Sequence, residues 1–270
     1  MNKKIIFSSV LVAPLFLLSS MGNDFEAATY KDSNNASSIG KVKFIEGESE
    51  IVDPKDPDKP VDPVEPVNPN KGDLMIQYVS DFDFGVHKKT VNGITANSKP
   101  DLVVDKKDDK KEKYDVVPFV STLDTRTNRN GGWNLRVSAT EFKGTNKSNN
   151  EVVLKGAEVI FSNVSYAQPK AETPVVNSEA ASAVVKDGFK LQQSPQKIVT
   201  SDESKVESQG MGSYSLALGS ELVNQTDDNL DSTKSTYKVT NGVTFNLPKN
   251  TSVSVADYTA DINWELVPGI

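Results

Sequence analysis

Two segments of this sequence alternate strictly between apolar and polar residues, and this alternation constrains the fold more than any other feature. In the segment 133–140 (WNLRVSAT) the odd positions are apolar, and in the segment 258–266 (YTADINWEL) the even positions are apolar. Successive side chains of a β-strand point to opposite sides of its sheet, so a period of two indicates a strand with one apolar face. The sequence therefore predicts a strand at each place, with the chain's two tryptophans, Trp133 and Trp264, on the apolar faces.

Shorter runs of the same kind fill the rest of the chain from residue 72 onward, separated by clusters of Gly, Asn, Asp and Ser. No segment has a convincing amphipathic helix pattern, and several short strands at this spacing are typical of an all-β sandwich or barrel. We predict a single all-β, β-sandwich-like domain of short antiparallel strands over residues 72–270. The predicted strands are 74–79, 116–120, 133–142, 152–165, 189–199, 213–218, 236–239, 243–247 and 258–267.

One connection between strands is predicted from its own residues. Asn241-Gly242 separates the apolar-polar runs 237–239 and 243–245. A two-residue hairpin turn needs positive φ at both central positions, and Asn followed by Gly adopts that geometry most easily. We therefore expect these two runs to pair as a tight hairpin.

The N-terminal residues 1–28 have the pattern of a secretory signal peptide. Two lysines precede an apolar run, 5–18, which is shorter than the roughly 20 residues that a membrane span needs. We expect a secreted protein, cleaved after Gly22, Ala27 or Ala28, with no membrane span in the mature chain.

Residues 29–71 are predicted to precede the domain as a disordered lead and a spacer. From Pro54 to Pro69 a proline recurs at every third position. Polyproline II has three residues per turn, so this spacing would place every proline on one edge of an extended helix that rises about 3.1 Å per residue. We expect a semi-rigid, proline-rich linker.

The composition excludes several kinds of chemistry. The chain has no cysteine and a single histidine, His87, so disulfides, thiolate metal sites and multi-histidine metal sites are excluded. The net charge of −7 argues against binding to nucleic acid, which requires a surplus of Lys and Arg. We expect no cofactor, no metal, no catalytic residue and no enzymatic activity.

Three short motifs resemble functional sites only weakly. Residues 194–197 (SPQK) fit S-x-x-K, but the companion motifs S-D-N and K-T-G are missing. Residues 81–85 (DFDFG) resemble the start of a calcium loop, although their glycine comes one position early. The acidic segment 227–231 fits either a calcium site or, more simply, a polar turn. His87 would act as a general base only if a carboxylate and a nucleophile converged on it.

Four motifs, together with the signal peptide and the proline-rich lead, occur in a characteristic order. They are the segments 78–85 (YVSDFDFG), 131–138 (GGWNLRVS), 154–157 (LKGA) and 264–266 (WEL). Over roughly residues 72–270 this ordered set resembles the WxL-domain surface proteins of low-GC Gram-positive bacteria. The C-terminal motif departs from the family pattern in one respect, because Ile262-Asn263 stands where Leu-Thr is usual.

The resemblance implies a non-enzymatic protein that binds peptidoglycan non-covalently and is displayed at the cell wall, with other surface proteins of the same locus as partners. By position it implies that Trp133, Leu135, Trp264 and Leu266 are the motif residues on which wall binding depends. Their alternation favours a role in holding the fold over direct contact with glycan. Two alternatives stay open: an adhesin for a partner surface protein or host ligand, and an exported glycoside hydrolase with paired carboxylates.

Overall fold

The computed structural model divides the chain into two units, Met1–Gly47 and Glu48–Ile270. In the first unit, β1 (Thr29–Tyr30) and β2 (Ala36–Ser37) form a two-stranded antiparallel sheet. The predicted signal peptide lies outside the residues that the structure describes. Those residues are 29–43, 45, 50–129, 131–167, 184–185, 188–201, 210–227 and 235–269.

The second unit is built from short β-strands, and the all-β prediction is confirmed. Every pairing between its described strands is antiparallel, and its described residues contain no helix. Its strands are β3 (Val61–Pro63), β4 (Leu74–Val79), β5 (Ile94–Asn97), β6 (Asp101–Asp105), β7 (Lys113–Val116), β8 (Phe119–Asp124), β9 (Trp133–Ala139), β10 (Lys143–Thr145), β11 (Glu151–Val153), β12 (Glu158–Phe161), β13 (Val164–Ala167), β14 (Val184–Val185), β15 (Phe189–Lys190), β16 (Gln196–Ser201), β17 (Gly212–Leu218), β18 (Leu222–Asp227), β19 (Ser235–Thr240), β20 (Val243–Leu247), β21 (Tyr258–Thr259) and β22 (Ile262–Pro268).

Three four-stranded sheets form the body of this unit, in the orders β13-β17-β8-β4, β14-β16-β9-β22 and β15-β12-β20-β5. Their apolar faces share one main core, because strands that alternate in polarity must bury one face against another layer. Smaller sheets, β3-β6-β7, β11-β10-β21 and the hairpin β18-β19, complete it. The buried residues of the main core are Val120, Trp133, Leu135, Val137, Val159, Phe161, Phe189, Leu191, Ile198, Val199, Leu216, Leu218 and Val243.

The strand limits show where backbone geometry overrides apolar pattern. Strands β4 and β20 have the predicted limits. The predicted strand 152–165 is instead three strands, β11, β12 and β13, because Gly156 and Asn163 adopt φ values of 77° and 53°. A positive φ cannot continue a strand, so the chain turns at each of these residues.

The predicted hairpin at Asn241-Gly242 is wrong. β19 pairs with β18, whereas β20 pairs with β12 and β5, so the chain passes from one sheet to another at this point. Neither Asn241 nor Gly242 has a positive φ. The Asn241 side chain accepts the Ser220 N–H at 2.9 Å, and a side chain at Gly242 would collide with the backbone of Gly219. Asn241 and Gly242 therefore fit this position because two chain segments approach closely there, and not because they form a hairpin turn.

Part of the proline-rich segment packs into the second unit, which differs from an extended spacer. β3 is an edge strand paired with β6, and Val61 is fully buried beside Val103 and Phe119. The Val64 N–H donates to the Leu102 carbonyl at 2.9 Å. An edge strand is where a sheet tolerates proline, because one side of that strand needs no partner. The position at which the domain begins stays a prediction.

A buried carboxylate fixes the turn that precedes β3. Asp53 accepts the N–H groups of Lys55 and Asp56 at 2.8 and 3.0 Å, and the Tyr114 hydroxyl donates to it at 2.9 Å. The Lys59 ammonium lies 4.0 Å from the centre of the Tyr114 ring. The proline repeat predicted only the extended backbone of this segment. It carried no information on the burial of Val61, so the docking was not predicted.

The docking of the proline-rich segment predicts a stability effect. Replacing Val61 with alanine should lower the free energy of unfolding by about 2 kcal/mol, because a fully buried side chain loses its packing. Replacing Val67, which is 45% exposed in the same segment, should change it by less than about 0.5 kcal/mol. Urea unfolding followed by circular dichroism measures both, and equal effects would contradict the docking.

Candidate functional site

The two Trp-x-Leu motifs lie side by side on neighbouring strands. β22 pairs with β9, and the register places Trp264 opposite Val137, Leu266 opposite Leu135, and Pro268 opposite Trp133. Residues that face each other in an antiparallel pair point to the same side of the sheet. The structure therefore brings all four predicted site residues onto one face, which packs on the main core.

The first motif is wholly internal. Trp133 and Leu135 are 0% exposed, and the Trp133 indole N–H donates to the Gly210 carbonyl at 3.2 Å. Gly210 has a φ of 72°, and a side chain there would collide with Ser201 and the Trp133 ring. Trp133 is therefore enclosed by the protein itself.

The second motif lies nearer the surface. Trp264 and Leu266 are both only partly buried. The Trp264 ring stacks on Phe161, with ring centres 5.9 Å apart and planes within 6° of parallel. Trp264 also lines a groove, so it belongs to the core on one side and to an open surface on the other.

A buried charge network holds the glycines that precede Trp133. The Asp124 carboxylate receives hydrogen bonds from Arg126 and Arg129, each at 2.9 Å from its Nε, and Asp124 and Arg129 are nearly inaccessible. Arg126 also donates to the Gly132 carbonyl at 2.8 Å. Burial alone would raise the pKa of Asp124, but the hydrogen bonds from the two arginines outweigh it and lower that pKa.

Both glycines of this segment are required by geometry. Gly131 and Gly132 have φ values of 73° and 68°, and a side chain at Gly269 would collide with the Gly131 carbonyl. The Gly269 N–H donates to the Gly132 carbonyl at 2.9 Å. The start of β9 and the end of β22 are thereby tied together.

The groove beside Trp264 has a volume of about 1090 Å³. One wall is the segment 79–89 that follows β4, and the other is the segment 253–264 that contains β21 and the start of β22. Between the walls lie apolar side chains, among them Phe142, Leu154 and Phe245. A concave surface of this kind, apolar with polar groups at its margins, is the usual form of a ligand site.

The segment 81–85 forms this wall through alternation without being a strand. Phe82 packs edge-on against Phe161 at 5.6 Å, and Phe84 lies 5.5 Å from Phe245, whereas Asp81 and Asp83 are exposed. The residue pattern of this segment did not predict the groove that results. The groove depends on which strands flank the segment, and that was not readable from the pattern.

The start of the same wall is anchored by hydrogen bonds. The Tyr78 hydroxyl donates to Asp101 at 2.7 Å, and the Ser80 hydroxyl donates to the same carboxylate. The Ser80 N–H donates to the Phe119 carbonyl at 3.0 Å, and the Ser80 hydroxyl accepts the Phe119 N–H at 2.8 Å. Burial, together with the adjacent Asp101 carboxylate, raises the pKa of Tyr78 well above its ordinary value.

The calcium-like segment uses its carboxylate internally. One oxygen of Asp83 accepts the Gly85 N–H at 2.7 Å, and the other lies 2.6 Å from the Lys99 ammonium. Burial would raise the pKa of Asp83, but these hydrogen bonds lower it. Among the described residues, no cluster of three or more Asp, Glu or His side chains is arranged to hold a metal ion. Of the second acidic segment, only Asp227 is described.

The two remaining weak motifs, His87 and residues 194–197, have structural positions among the described residues. His87 Nε2 lies 2.7 Å from the Phe84 carbonyl, within the groove wall. In residues 194–197, Gln196 and Lys197 begin β16, and Ser194 lies in a bend before it. S-x-x-K chemistry needs the serine at the start of a helix, so this match carries no catalytic geometry.

Comparison with known protein families identifies the domain. The family model described as WxL domain surface cell wall-binding matches residues 31–268.

The chain belongs to the WxL family.

This protein is therefore a cell-surface protein that binds the cell wall, as the ordered motifs predicted. The match covers nearly the whole chain, including most of the predicted lead. A search of the curated proteins and one of the solved structures found no significant match. Within the described part of this WxL protein, no helix is long and apolar enough to cross a membrane.

Proposed function

We propose that this WxL protein attaches non-covalently to the cell wall by binding peptidoglycan in the groove beside Trp264. The observation that carries the proposal is the position of that ring. One face of the Trp264 ring stacks on Phe161, and the side chain is partly exposed to the groove. A fixed aromatic face offers a large contact area to a sugar ring at little cost in side-chain entropy.

The half-buried Tyr258 on the same wall extends the aromatic surface. Its hydroxyl donates to the Ser254 carbonyl at 3.1 Å and accepts the Ser254 N–H, so the ring is held in place. Gly144 of β10 pairs with Tyr258, and a side chain at Gly144 would collide with Asp257. These contacts keep the groove wall rigid, and a preformed site loses less entropy on binding.

The proposed role is binding without catalysis, and export by the signal peptide places the protein at the wall. Two groups in the groove that resemble catalytic ones have partners within the protein: His87 contacts the Phe84 carbonyl, and Asp83 is paired with Lys99. Other surface proteins of the same locus are the further partners that we propose.

Replacing Trp264 with alanine should weaken binding to purified peptidoglycan about tenfold, because the aromatic platform is lost while the strand remains. Replacing it with tyrosine keeps a ring over Phe161 and should retain most of the affinity. Sedimentation with Gram-positive peptidoglycan measures the affinity, and circular dichroism checks that both variants fold. A folded Trp264→Ala variant that binds as the wild type does would disprove this site.

A further inference from the structure

The groove is polarised in charge along its length. Its lining includes three exposed lysines, Lys88, Lys89 and Lys147, none of which forms a salt bridge with a described residue. It also includes exposed aspartates, such as Asp81 and Asp261. The positions of the two kinds of charge follow from ring contacts and strand register.

Trp264 marks one end of the groove. Phe161 touches both Trp264 and Phe82, so the start of the first wall, with Asp81, lies beside Trp264. Asp261 directly precedes β22 and is tied to the residue after β9, because its N–H donates to the Thr140 hydroxyl at 2.8 Å. This end therefore combines a flat aromatic ring with carboxylates that can accept hydrogen bonds from the hydroxyl groups of a sugar.

The lysines lie at the other end. In the register of β10 with β21, Lys143 faces Thr259 and Gly144 faces Tyr258, so the chain runs away from Trp264 as it approaches Lys147. On the opposite wall, Lys88 and Lys89 follow Phe84 and precede Val91, whose carbonyl accepts the Asn250 N–H at 2.8 Å. All three lysines are thus placed near the start of the segment 253–264 and away from its tryptophan.

A ligand that fits this order has a sugar ring at one end and an anionic group at the other. The charges between them favour a peptide over a polyphosphate chain. Asp257 lies between the two ends of the wall 253–264 in sequence, lines the groove and is exposed, so it would repel a phosphate repeated along a polymer. A peptide tolerates it, because amide and ammonium groups can face Asp257 while a carboxylate faces the lysines.

We infer that the groove binds the junction between sugar and peptide in peptidoglycan, with the sugar on Trp264 and a peptide carboxylate on Lys88, Lys89 and Lys147. This inference rests on the proposed function, since it names the part of the wall polymer that the same groove takes. Exposed charges contribute modestly and are screened by salt. The peptide end therefore contributes specificity and salt dependence to the binding.

The test compares two wall preparations, both stripped of phosphate polymers. One keeps its peptides, and the other is treated with an amidase that releases them from the glycan. The chain from residue 29 onward should bind the peptide-bearing walls about tenfold more tightly. The triple variant Lys88→Gln, Lys89→Gln, Lys147→Gln should bind both preparations alike, at the affinity of wild type for bare glycan.

The matched control replaces three exposed lysines that do not line the groove: Lys107→Gln, Lys110→Gln, Lys113→Gln. Both triple variants lower the net charge equally, so general repulsion from the wall is the same. The control should keep the tenfold preference and the salt dependence of the wild type. If the control variant lost the preference for peptide-bearing walls as the groove variant does, the inference would be overturned.

Other outcomes separate the two proposals. If amidase treatment does not change wild-type binding, the sugar-peptide inference is overturned and wall attachment still stands. The same conclusion follows if the wild type binds intact walls but not walls stripped of phosphate polymers. Failure of the wild type to bind any wall preparation overturns the proposed function, and this inference with it.

Discussion

Replacing Trp133 with alanine should lower the free energy of unfolding by about 3–5 kcal/mol, a large part of the 5–15 kcal/mol typical of a folded domain. The ring is 0% exposed at the centre of the main core, and its N–H donates to Gly210. Truncation leaves a cavity that β9 cannot close, because the strand is paired on both sides, with β16 and β22. Urea unfolding followed by circular dichroism measures the loss.

Two comparisons make this expectation specific to burial. Trp133→Phe keeps most of the apolar volume and should cost about 1–2 kcal/mol, mainly for the lost hydrogen bond. Trp264→Ala removes a ring that is only partly buried and should cost clearly less than Trp133→Ala. Equal destabilisation by the two alanine variants would contradict the division of the motifs into an internal and a surface pair.

This division has a consequence for wall binding. Trp133→Ala should reduce attachment only to the extent that it unfolds the domain, whereas Trp264→Ala should weaken attachment in the folded protein. A loss of binding in either variant alone does not separate these causes. Unfolding curves recorded on the same samples do separate them.

Replacing Asp124 with alanine should lower the free energy of unfolding by about 3–5 kcal/mol, because it removes the carboxylate that pairs with the buried guanidinium of Arg129. The same change removes the hydrogen bonds that orient Arg126, which also donates to the Gly132 carbonyl ahead of Trp133. The effect should therefore reach the first Trp-x-Leu strand. Urea unfolding measures the loss, and amide exchange of β9 locates it.

Lys143 and Glu151 provide the matched control. They form an ion pair at 3.6 Å with side chains 52% and 67% exposed. Glu151→Gln should change the free energy of unfolding by less than about 1 kcal/mol, because solvent screens an exposed pair. A comparable loss in both variants would mean that burial of Asp124 does not determine its effect.

The same network predicts a response to acid. The pKa of Asp124 is lowered in the folded protein, so the unfolded chain takes up a proton first as the pH falls. Its contribution is therefore complete above the unfolded value of about 3.9 and is lost as the pH falls through the lower folded value. The stability of Asp124→Asn should fall less steeply over that window, and parallel acid titrations of the two proteins would contradict the assignment.

Several features of the fold were predictable because they depend on residues close in sequence. The period of two at 133–140 identified β9, and that at 258–266 identified β22, although the predicted strand 258–267 is divided into β21 and β22. The family motifs identified the WxL domain. The hairpin at Asn241-Gly242 was not predictable in this way. Its turn residues satisfied the local rule, but Gly242 packs on Gly219, from a distant part of the chain.

The sequence by itself determined that this protein is an all-β WxL domain with Trp133 and Trp264 on apolar strand faces, since strand polarity is a local property of the chain. Only the tertiary structure decided that β9 and β22 are neighbours, that one tryptophan is enclosed and the other borders a groove, and that Val61 is buried. Burial depends on which sheets cover a face. That is set by contacts between residues far apart in sequence, for which alternation carries no information.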